Sequence, residues 1–430
     1  MATDDIPFAL PFMGKEEEEA VLRVIRSLWL TTGREALAFE KEFAGYLRPV
    51  PFEDLDSFGT PDTYGIQNKT QDEGAFTLAV NSATSGLHLA LEALGVGPGD
   101  AVLVPAYTFT ASAEVARYLG AEPVLVDSVP GAFNIDPPRL EHTVDRLKKG
   151  LPAYERPDGR GFGPRGRPRA VIPVHYGGLP CDMDAVLAIA GKHGLAVVED
   201  AAHAFPARLP DGRAAGTLGD AGVFSFYATK TITTGEGGMV FTRNRALAER
   251  MSVMRSHGID RPVWNRYTDN RSSWYYEVVE PGFKYNLPDI LAAIGRAQLA
   301  KTELMLEKRR AIASSYDRAF SGGPFIIPPT AKGDVRHLYP LRLRLDALSL
   351  NRDRFIEKLK EKGIGASVHY VPLHLMPYYA KRQGLVPGDF PGALKNYAEC
   401  LSLPLWPGMG EERAGRVIRA VLETAGEKSP

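Results

Sequence analysis

The chain has 430 residues, enough for a large core and more than one domain, and its 44% hydrophobic and 24% charged residues are ordinary for a globular protein. A net charge of -1 argues against nucleic-acid or membrane-surface partners. Two cysteines, Cys181 and Cys400, make neither a disulfide framework nor a metal cluster, and they suit a reducing, cytoplasmic setting. The opening MATDDIPFAL lacks the basic-then-apolar pattern of a signal peptide, and no apolar run approaches a membrane span.

In chain order, GKEEEEAVLRVIRSLWL spaces Val21, Leu22, Val24, Ile25 and Leu28 as a helix does, and TTGREALAFEKEFAGYL predicts a second helix after a turn at Gly33. Residues 48–74 are polar, rich in Pro and Gly and without a period, which predicts a long loop. A strand-then-helix rhythm follows. Strands are predicted at 77–80, 101–105, 123–127, 169–176, 195–200, 221–227 and 237–242. These short Val/Ile-rich runs do not alternate, as expected of strands buried on both faces of a largely parallel sheet. The basic, Gly/Pro-rich stretch 155–169 reads as a mobile, solvated surface insertion. Beyond residue 288 the pattern changes to a long helix over 288–320, short strand candidates at 337–345, a helix at 352–363, the run ASVHYVPLH (366–374) and a C-terminal helix. The expected architecture is α/β: a large domain over 1–290 and a smaller α+β domain over 291–430.

Ligands of open α/β sheets sit at the carboxyl ends of strands, and polar residues collect there. Asp200 ends the fifth strand in VVEDAAHAF, with His203 three residues on; Ser225 and Lys230 end the sixth in FSFYATK. NSATSG opens the first helix of the sheet, where the N–H groups of Ala83, Thr84 and Ser85 can hold an anion. Phe109 follows the second strand. Singly these are weak: NSATSG is a common helix cap, Asp200 a plausible strand-end cap, His203 and Phe109 ordinary structural residues. TTGEGG is no P-loop, because G-x-x-x-x-G-K-[ST] is absent. Together, a phosphate cradle, an aromatic face, a carboxylate and a lysine form the set that holds pyridoxal phosphate. Lys230 would bond the cofactor and shuttle a proton, Asp200 would pair with the pyridine nitrogen, His203 would reach the phenolic oxygen, Phe109 would stack on the ring, and Ser225 would join the phosphate site.

The chain resembles the DegT/StrS-type sugar aminotransferases, a branch of the fold-type I pyridoxal-phosphate enzymes. The resemblance runs through SLWLTTG, NSATSGLHLALEALGVGPGD, VLVPAYTFTAS, VIPVHYGGLPCDMD, EDAAHA, FSFYATK, GEGGMV, PGFKYNLPDI and VHYVPLHLMPYY. It covers most of the chain outside 48–74 and 155–169. It implies the same roles for Lys230, Asp200, His203, Phe109, Ser225 and the SATS turn. Many relatives carry G-x-N-x-R where this chain has GFKYN, their Asn serving the neighbouring subunit's phosphate; Lys284 takes that slot and Asn286 the Arg slot. The loop at 48–74 is longer than the family pattern. The resemblance further implies a homodimer with shared active sites and amino transfer from glutamate to the ketone of a nucleotide-linked sugar. Trp29, Thr31 and Thr32 of WLTTG, with His369, Tyr370 and His374, are candidate sugar contacts, or equally core or interface residues. Relatives that replace the lysine with histidine are dehydratases. Lys230 therefore favours transamination over a dehydratase or lyase, and the intact set disfavours a non-catalytic scaffold.

Overall fold

The computed structural model describes residues 5–48, 74–260 and 275–427, so most of the loop expected at 48–74 lies outside the described residues. Two helices lead, α1 (Lys15–Ser27) and α2 (Arg34–Tyr46). The first turn of α1 carries Glu16, Glu17 and Glu18, where acids suit the helix dipole, and Glu17 caps it by accepting from the Gly14 N–H at 2.7 Å. Of the apolar positions named for this helix only Val24 is buried; Leu22, Ile25 and Leu28 face outward.

The main sheet is built from β1 (Phe76–Val80), β2 (Asp100–Pro105), β3 (Glu122–Val126), β6 (Arg167–Val171), β7 (Ala196–Asp200), β8 (Ala221–Ser225) and β9 (Gly238–Thr242). Its spatial order is β1-β9-β8-β7-β6-β2-β3. Strands β3, β2, β6, β7 and β8 are mutually parallel, while β9 runs antiparallel to both β8 and β1. The exception has a cause in the connection: no helix returns the chain between β8 and β9, so the two pair as an antiparallel ribbon. The connecting loop lies at the carboxyl end of β8 and carries Lys230. Every residue of β2 is buried, as its unbroken apolar run predicts. One face packs on an aromatic layer that includes Phe39, Phe43, Phe205, Phe224 and Phe226. The other is covered by α3 (Ala83–Ala93) and α4 (Ala111–Tyr118), with Leu87, Leu91 and Val115 inward.

The stretch 155–169 is not a free insertion. It folds as a hairpin of β4 (Tyr154–Glu155) and β5 (Gly161–Phe162), and β6 already starts at Arg167. Its basic residues find local partners: Arg156 lies over the Phe162 ring at 4.6 Å, and Asp158 pairs with Arg160. Arg146, on α5 (Pro137–Lys148), grips its base through Pro152 O at 3.0 Å and Glu155.

The long helix expected over 288–320 is two, here α8 (Asp289–Ala300) and α9 (Thr302–Phe320), following α6 (Met183–His193) and α7 (Arg245–Met254). The break falls at Lys301, whose ammonium is drawn to Glu17, while the Thr302 hydroxyl donates to Leu299 O at 2.9 Å. The remaining chain adds a three-stranded antiparallel sheet of β10 (Phe325–Ile326), β11 (Tyr339–Leu343) and β12 (Cys400–Leu403). With α9, α10 (Arg352–Glu361) and α13 (Gly410–Gly426) it encloses its own core around Tyr316, Phe355 and Val417. Ile6 bridges to Ile364 and is buried in that core, so the start of the described chain is tied to its C-terminal part. The helices α11 (Pro377–Gln383) and α12 (Pro391–Glu399) complete the fold. No helix among the described residues is long and apolar enough to cross a membrane.

Candidate active site

The loop from β8 to β9 is tied to itself. Phe226 N donates to Gly237 O at 2.9 Å, Thr234 N to Phe226 O at 3.0 Å, and the Thr233 hydroxyl also to Phe226 O at 3.0 Å. Thr231, Thr233 and Thr234 are buried, and this polar run serves to hold the turn. Gly235 sits at φ +83, a conformation only glycine adopts without strain. Lys230 caps the loop, its N–H donating to Tyr227 O at 2.9 Å. Its side chain is half-buried, and burial pulls its pKa down to about 8 against the opposing pull of Asp200.

Asp200 ends β7 and is buried. Ser112 donates to its Oδ2 at 2.8 Å and Ala202 N to its Oδ1 at 3.1 Å. Burial still raises its pKa above the usual carboxylate value, although both hydrogen bonds and the charge of Lys230 act the other way. His203 is buried beside it; burial first, then Lys230, holds the ring well below its usual pKa, so it is neutral. Gly177 N donates to His203 Nδ1 at 3.3 Å, and Nε2 lies 2.8 Å from the Tyr370 hydroxyl. Phe109 is 56% exposed, an open aromatic face, with its ring 5.6 Å from that of Tyr370. His369 is close enough to Lys230 for its pKa to fall to about 4, burial being the larger cause. His374 is elsewhere: it packs on Phe390 at 5.0 Å, and its electrostatic neighbours are Asp127 and Asp389.

At the start of α3, Ser82 accepts from Ser85 N at 3.1 Å, and the Ser85 hydroxyl donates to Asn81 Oδ1 at 2.7 Å. Ser85 is therefore spent on the cap. The N–H groups of Ala83 and Thr84 are the ones left without a partner among the described residues. Gly238 pairs with Ser225 across the β8–β9 ladder, and a Cβ there would stand 2.8 Å from Ala83 N. Only glycine lets β9 approach the turn this closely, which sets Ser225 beside it.

The GFKYN segment runs next to this turn: Asn81 N donates to Tyr285 O at 2.8 Å and Asn81 Nδ2 to Lys284 O at 3.2 Å. Its residues alternate. Phe283 and Tyr285 stack and pack against His88, while Lys284 is exposed and bonds to Asn286. Asn286 Nδ2 donates to the Thr32 hydroxyl at 2.6 Å, and that hydroxyl donates to Leu287 O at 2.7 Å. Trp29 Nε1 donates to Thr32 O at 3.3 Å, and Thr31 O accepts from Asp289 N at 3.4 Å. The candidate sugar residues thus divide: Trp29, Thr31 and Thr32 lie against Asn286 and Asp289, whereas Tyr370, with His369 beside it, meets His203.

These residues fit pyridoxal phosphate. Two N–H groups at a helix N-terminus suit an anion, a lysine of depressed pKa faces a buried acid, and the Phe109 ring is open to solvent beside Tyr370. A family model described as the DegT/DnrJ/EryC1/StrS aminotransferase family matches residues 72–422. The chain belongs to this family. SpsC of Bacillus subtilis (strain 168), named as a spore coat polysaccharide biosynthesis protein, is 40% identical over 422 residues, covering 97% of this chain and 96% of that one. Among solved structures, Spr1654 of Streptococcus pneumoniae, in PMP and PLP forms, gives a TM-score of 0.80 at 28% identity over 98% of both chains. PseC of Helicobacter pylori, described as an aminotransferase involved in the biosynthesis of pseudoaminic acid, gives 0.80 at 27% identity, covering 98% of this chain and 99% of that one. Like its family, the chain is a pyridoxal-phosphate-dependent aminotransferase of the fold-type I architecture.

Three residues escaped the sequence reading. Ser112 stands in the quoted PAYTFTAS, but only the fold brings it to Asp200. Glu199 accepts from His175 Nε2 and from the N–H groups of Gly216, Leu218 and Gly219 at 2.6–3.0 Å, fixing the strand end that presents Asp200. An acid inside a buried apolar strand was its available signal. Asp289 accepts from Gly33 N at 2.7 Å and Ala36 N at 3.0 Å, capping α2 from a distant helix, and nothing local announces it.

Proposed function

We propose that this aminotransferase moves an amino group from L-glutamate to the ketone of a nucleotide-linked sugar. The carrying observation is Lys230, with its pKa lowered to about 8, at a strand end facing buried Asp200. When bound, pyridoxal phosphate supplies an electron-accepting ring and carries the amino group. Lys230 holds it covalently and, as a partly neutral amine near pH 8, moves a proton at the substrate carbon. Asp200, buried at the end of β7 and facing Lys230, would pair with the protonated ring nitrogen. Ala83 N, Thr84 N and the Ser225 hydroxyl would hold the phosphate, and Phe109 would stack on the ring. The sugar is supported by the names of SpsC and PseC, both tied to carbohydrate biosynthesis. A homodimer is supported by the outward apolar stripe of Leu22, Ile25, Leu28 and Leu30, with Leu28 87% exposed. Buried free Cys181 and Cys400 suit a cytoplasmic enzyme. The test is a screen of nucleotide keto-sugars against the pyridoxamine form, read by mass spectrometry. A mass gain from keto to amino on one nucleotide sugar is expected, and none across the panel overturns the reading.

A further inference from the structure

The loop that carries Lys230 is supported from its outer side by α8. Gln298 of that helix is buried; its Oε1 accepts from Thr233 N at 3.3 Å, and its Nε2 donates to Phe12 O and Glu17 Oε1, both at 2.8 Å. The amide fits one way round. Turned over, its NH2 would face a main-chain N–H, and its oxygen would face a carbonyl and a carboxylate. Glu17 is bound in turn by Gly14 N at 2.7 Å and Lys301 Nζ at 2.8 Å. Burial acts to raise the Glu17 pKa, but the bonds from Lys301, Gln298 and Gly14 outweigh it and hold the pKa below its usual value, so Glu17 is an ionised acceptor. At the other end, the Thr233 hydroxyl donates to Phe226 O at 3.0 Å and accepts from Gly235 N at 2.9 Å. Gly295, one turn earlier on α8, lets helix and loop touch: a Cβ there would stand 2.6 Å from the Phe39 ring and 3.0 Å from Thr234 Cγ2.

We propose that Gln298 is a positioning residue for Lys230, acting through the Thr233 main chain and anchored by Glu17 and the Phe12 carbonyl. The proposal rests on the reading of Lys230 as the group that bonds the cofactor. A buried main-chain N–H without a partner is costly, and Gln298 supplies the partner of Thr233 N. The bond holds the loop against α8 with Lys230 drawn away from water. Without it the loop loosens and water reaches the ammonium. The titratable groups facing Lys230 are Asp200, His203, His337 and His369. Those at the far end of the network are Glu16, Glu17 and Lys301. Replacing Gln298 by leucine alters none of them directly, so a changed Lys230 titration reports its position.

Burial is what lowers the Lys230 pKa to about 8. Partial return of water therefore raises it toward the ordinary lysine value. The experiment is competitive labelling of the apoprotein with acetic anhydride over a pH series, with acetylation of the Lys230 peptide read by mass spectrometry. In Gln298→Leu the midpoint should move up by about one unit, roughly tenfold in proton affinity. A lower melting temperature with an unmoved midpoint overturns the proposal, because a merely structural role gives that result. Glu17→Ala leaves Gln298 in place and removes its anchor, so it serves where Gln298→Leu does not fold. Its midpoint should shift in the same direction by a smaller amount, and an unchanged midpoint there also overturns the proposal. The labelling needs no cofactor, so its failure is distinct from failure of the Lys230 assignment, which borohydride trapping tests separately.

Discussion

The two walls of the site are built differently. On the sheet wall, Asp200, Ser225, Lys230 and the Ala83–Thr84 turn are placed by main-chain bonds at strand ends and a helix start, within segments that are also contiguous in sequence. On the opposite wall, His369 and Tyr370 come from the C-terminal part of the chain and are held by bonds of long range. Tyr176 OH donates to His369 O across 193 residues, and Tyr370 meets His203 across 167. His369 Nδ1 adds Ser402 at 3.0 Å. The contrast teaches a division of labour. The residues expected to meet the cofactor stand at strand ends of the rigid sheet, and His369 and Tyr370 stand on a segment joined to it by long-range bonds, the main-chain bond from Leu373 N to Ala106 O at 2.8 Å among them.

The comparison breaks first at Lys230. Lys230→Ala should abolish turnover with the fold intact, since the loop is held by Phe226, Thr233 and Thr234 and not by the lysine side chain. Circular dichroism reports the fold, and borohydride labelling followed by peptide mapping reports the lysine; label on another lysine refutes the assignment. Next, Asp200→Asn should slow the glutamate half-reaction by roughly three orders of magnitude or more, because the pyridine nitrogen loses the carboxylate that keeps it protonated. Stopped-flow absorbance measures it, and a wild-type rate removes Asp200 from its role. Third, the rate of cofactor uptake by the apoenzyme should climb about fifty-fold from pH 6 to pH 8 and then level off, following the neutral fraction of an amine with pKa about 8. A rate still climbing beyond pH 9 would indicate an ordinary lysine. The same shift has a stability sign. Burial lowers the folded pKa below the unfolded value of about 10.5, so the cost of the charged amine is full below pH 8 and is relieved as pH rises from 8 to 10.5.

The same division explains what was legible in the sequence. Each of the seven main-sheet strands was visible because a strand buried on both faces leaves a short Val/Ile-rich run. Asp200, Lys230 and the anion turn were visible because the ends of those runs are where polar residues have a reason to sit. The antiparallel entry of β9 was not, because direction depends on how the chain returns and not on strand composition. The break at Lys301, where the ammonium pairs with distant Glu17, was hidden by a good helical period. The assignment of Ser85 as a phosphate donor missed that S-x-x-S closes a cap and consumes that N–H. His374 looked like a partner of His369 and Tyr370 by proximity in sequence, yet the chain turns between them and carries it to Phe390.

Lys284 tests whether the sheet wall is complete within one chain. It is exposed and bound through its carbonyl to Asn81 of the anion turn, and the family resemblance of GFKYN implies that this slot serves a partner subunit. Acting in trans on the phosphate, it should contribute about 1.5–3 kcal/mol as a charge-assisted contact. Lys284→Ala then weakens cofactor affinity by about tenfold or more, with a smaller effect on the rate at saturating cofactor. Mixed dimers of Lys230→Ala and Lys284→Ala subunits separate the arrangements. The one site that keeps Lys230 receives an intact Lys284 only from its partner, so normal affinity there supports the contact in trans. Affinity as weak as in the Lys284→Ala homodimer refutes it.

The smallest effect should come from Ser112→Ala, and it sharpens the contrast because it removes support from the sheet wall without touching the chemistry. Ser112 donates to Asp200 Oδ2 at 2.8 Å, and this bond stabilises the carboxylate form. Asp200 keeps Ala202 N at 3.1 Å and the charge of Lys230, so the loss is partial. A few-fold fall in the glutamate half-reaction at pH 8 is expected. The sign of the pH effect follows from the same bond. Removing it raises an acid pKa that burial has already raised, so the carboxylate is lost at a higher pH as the medium is acidified. The acid limb of the rate profile should therefore move upward in Ser112→Ala, and Ser112→Thr, which keeps a hydroxyl, should restore it. A rate that falls equally at every pH would instead assign Ser112 to packing of α4.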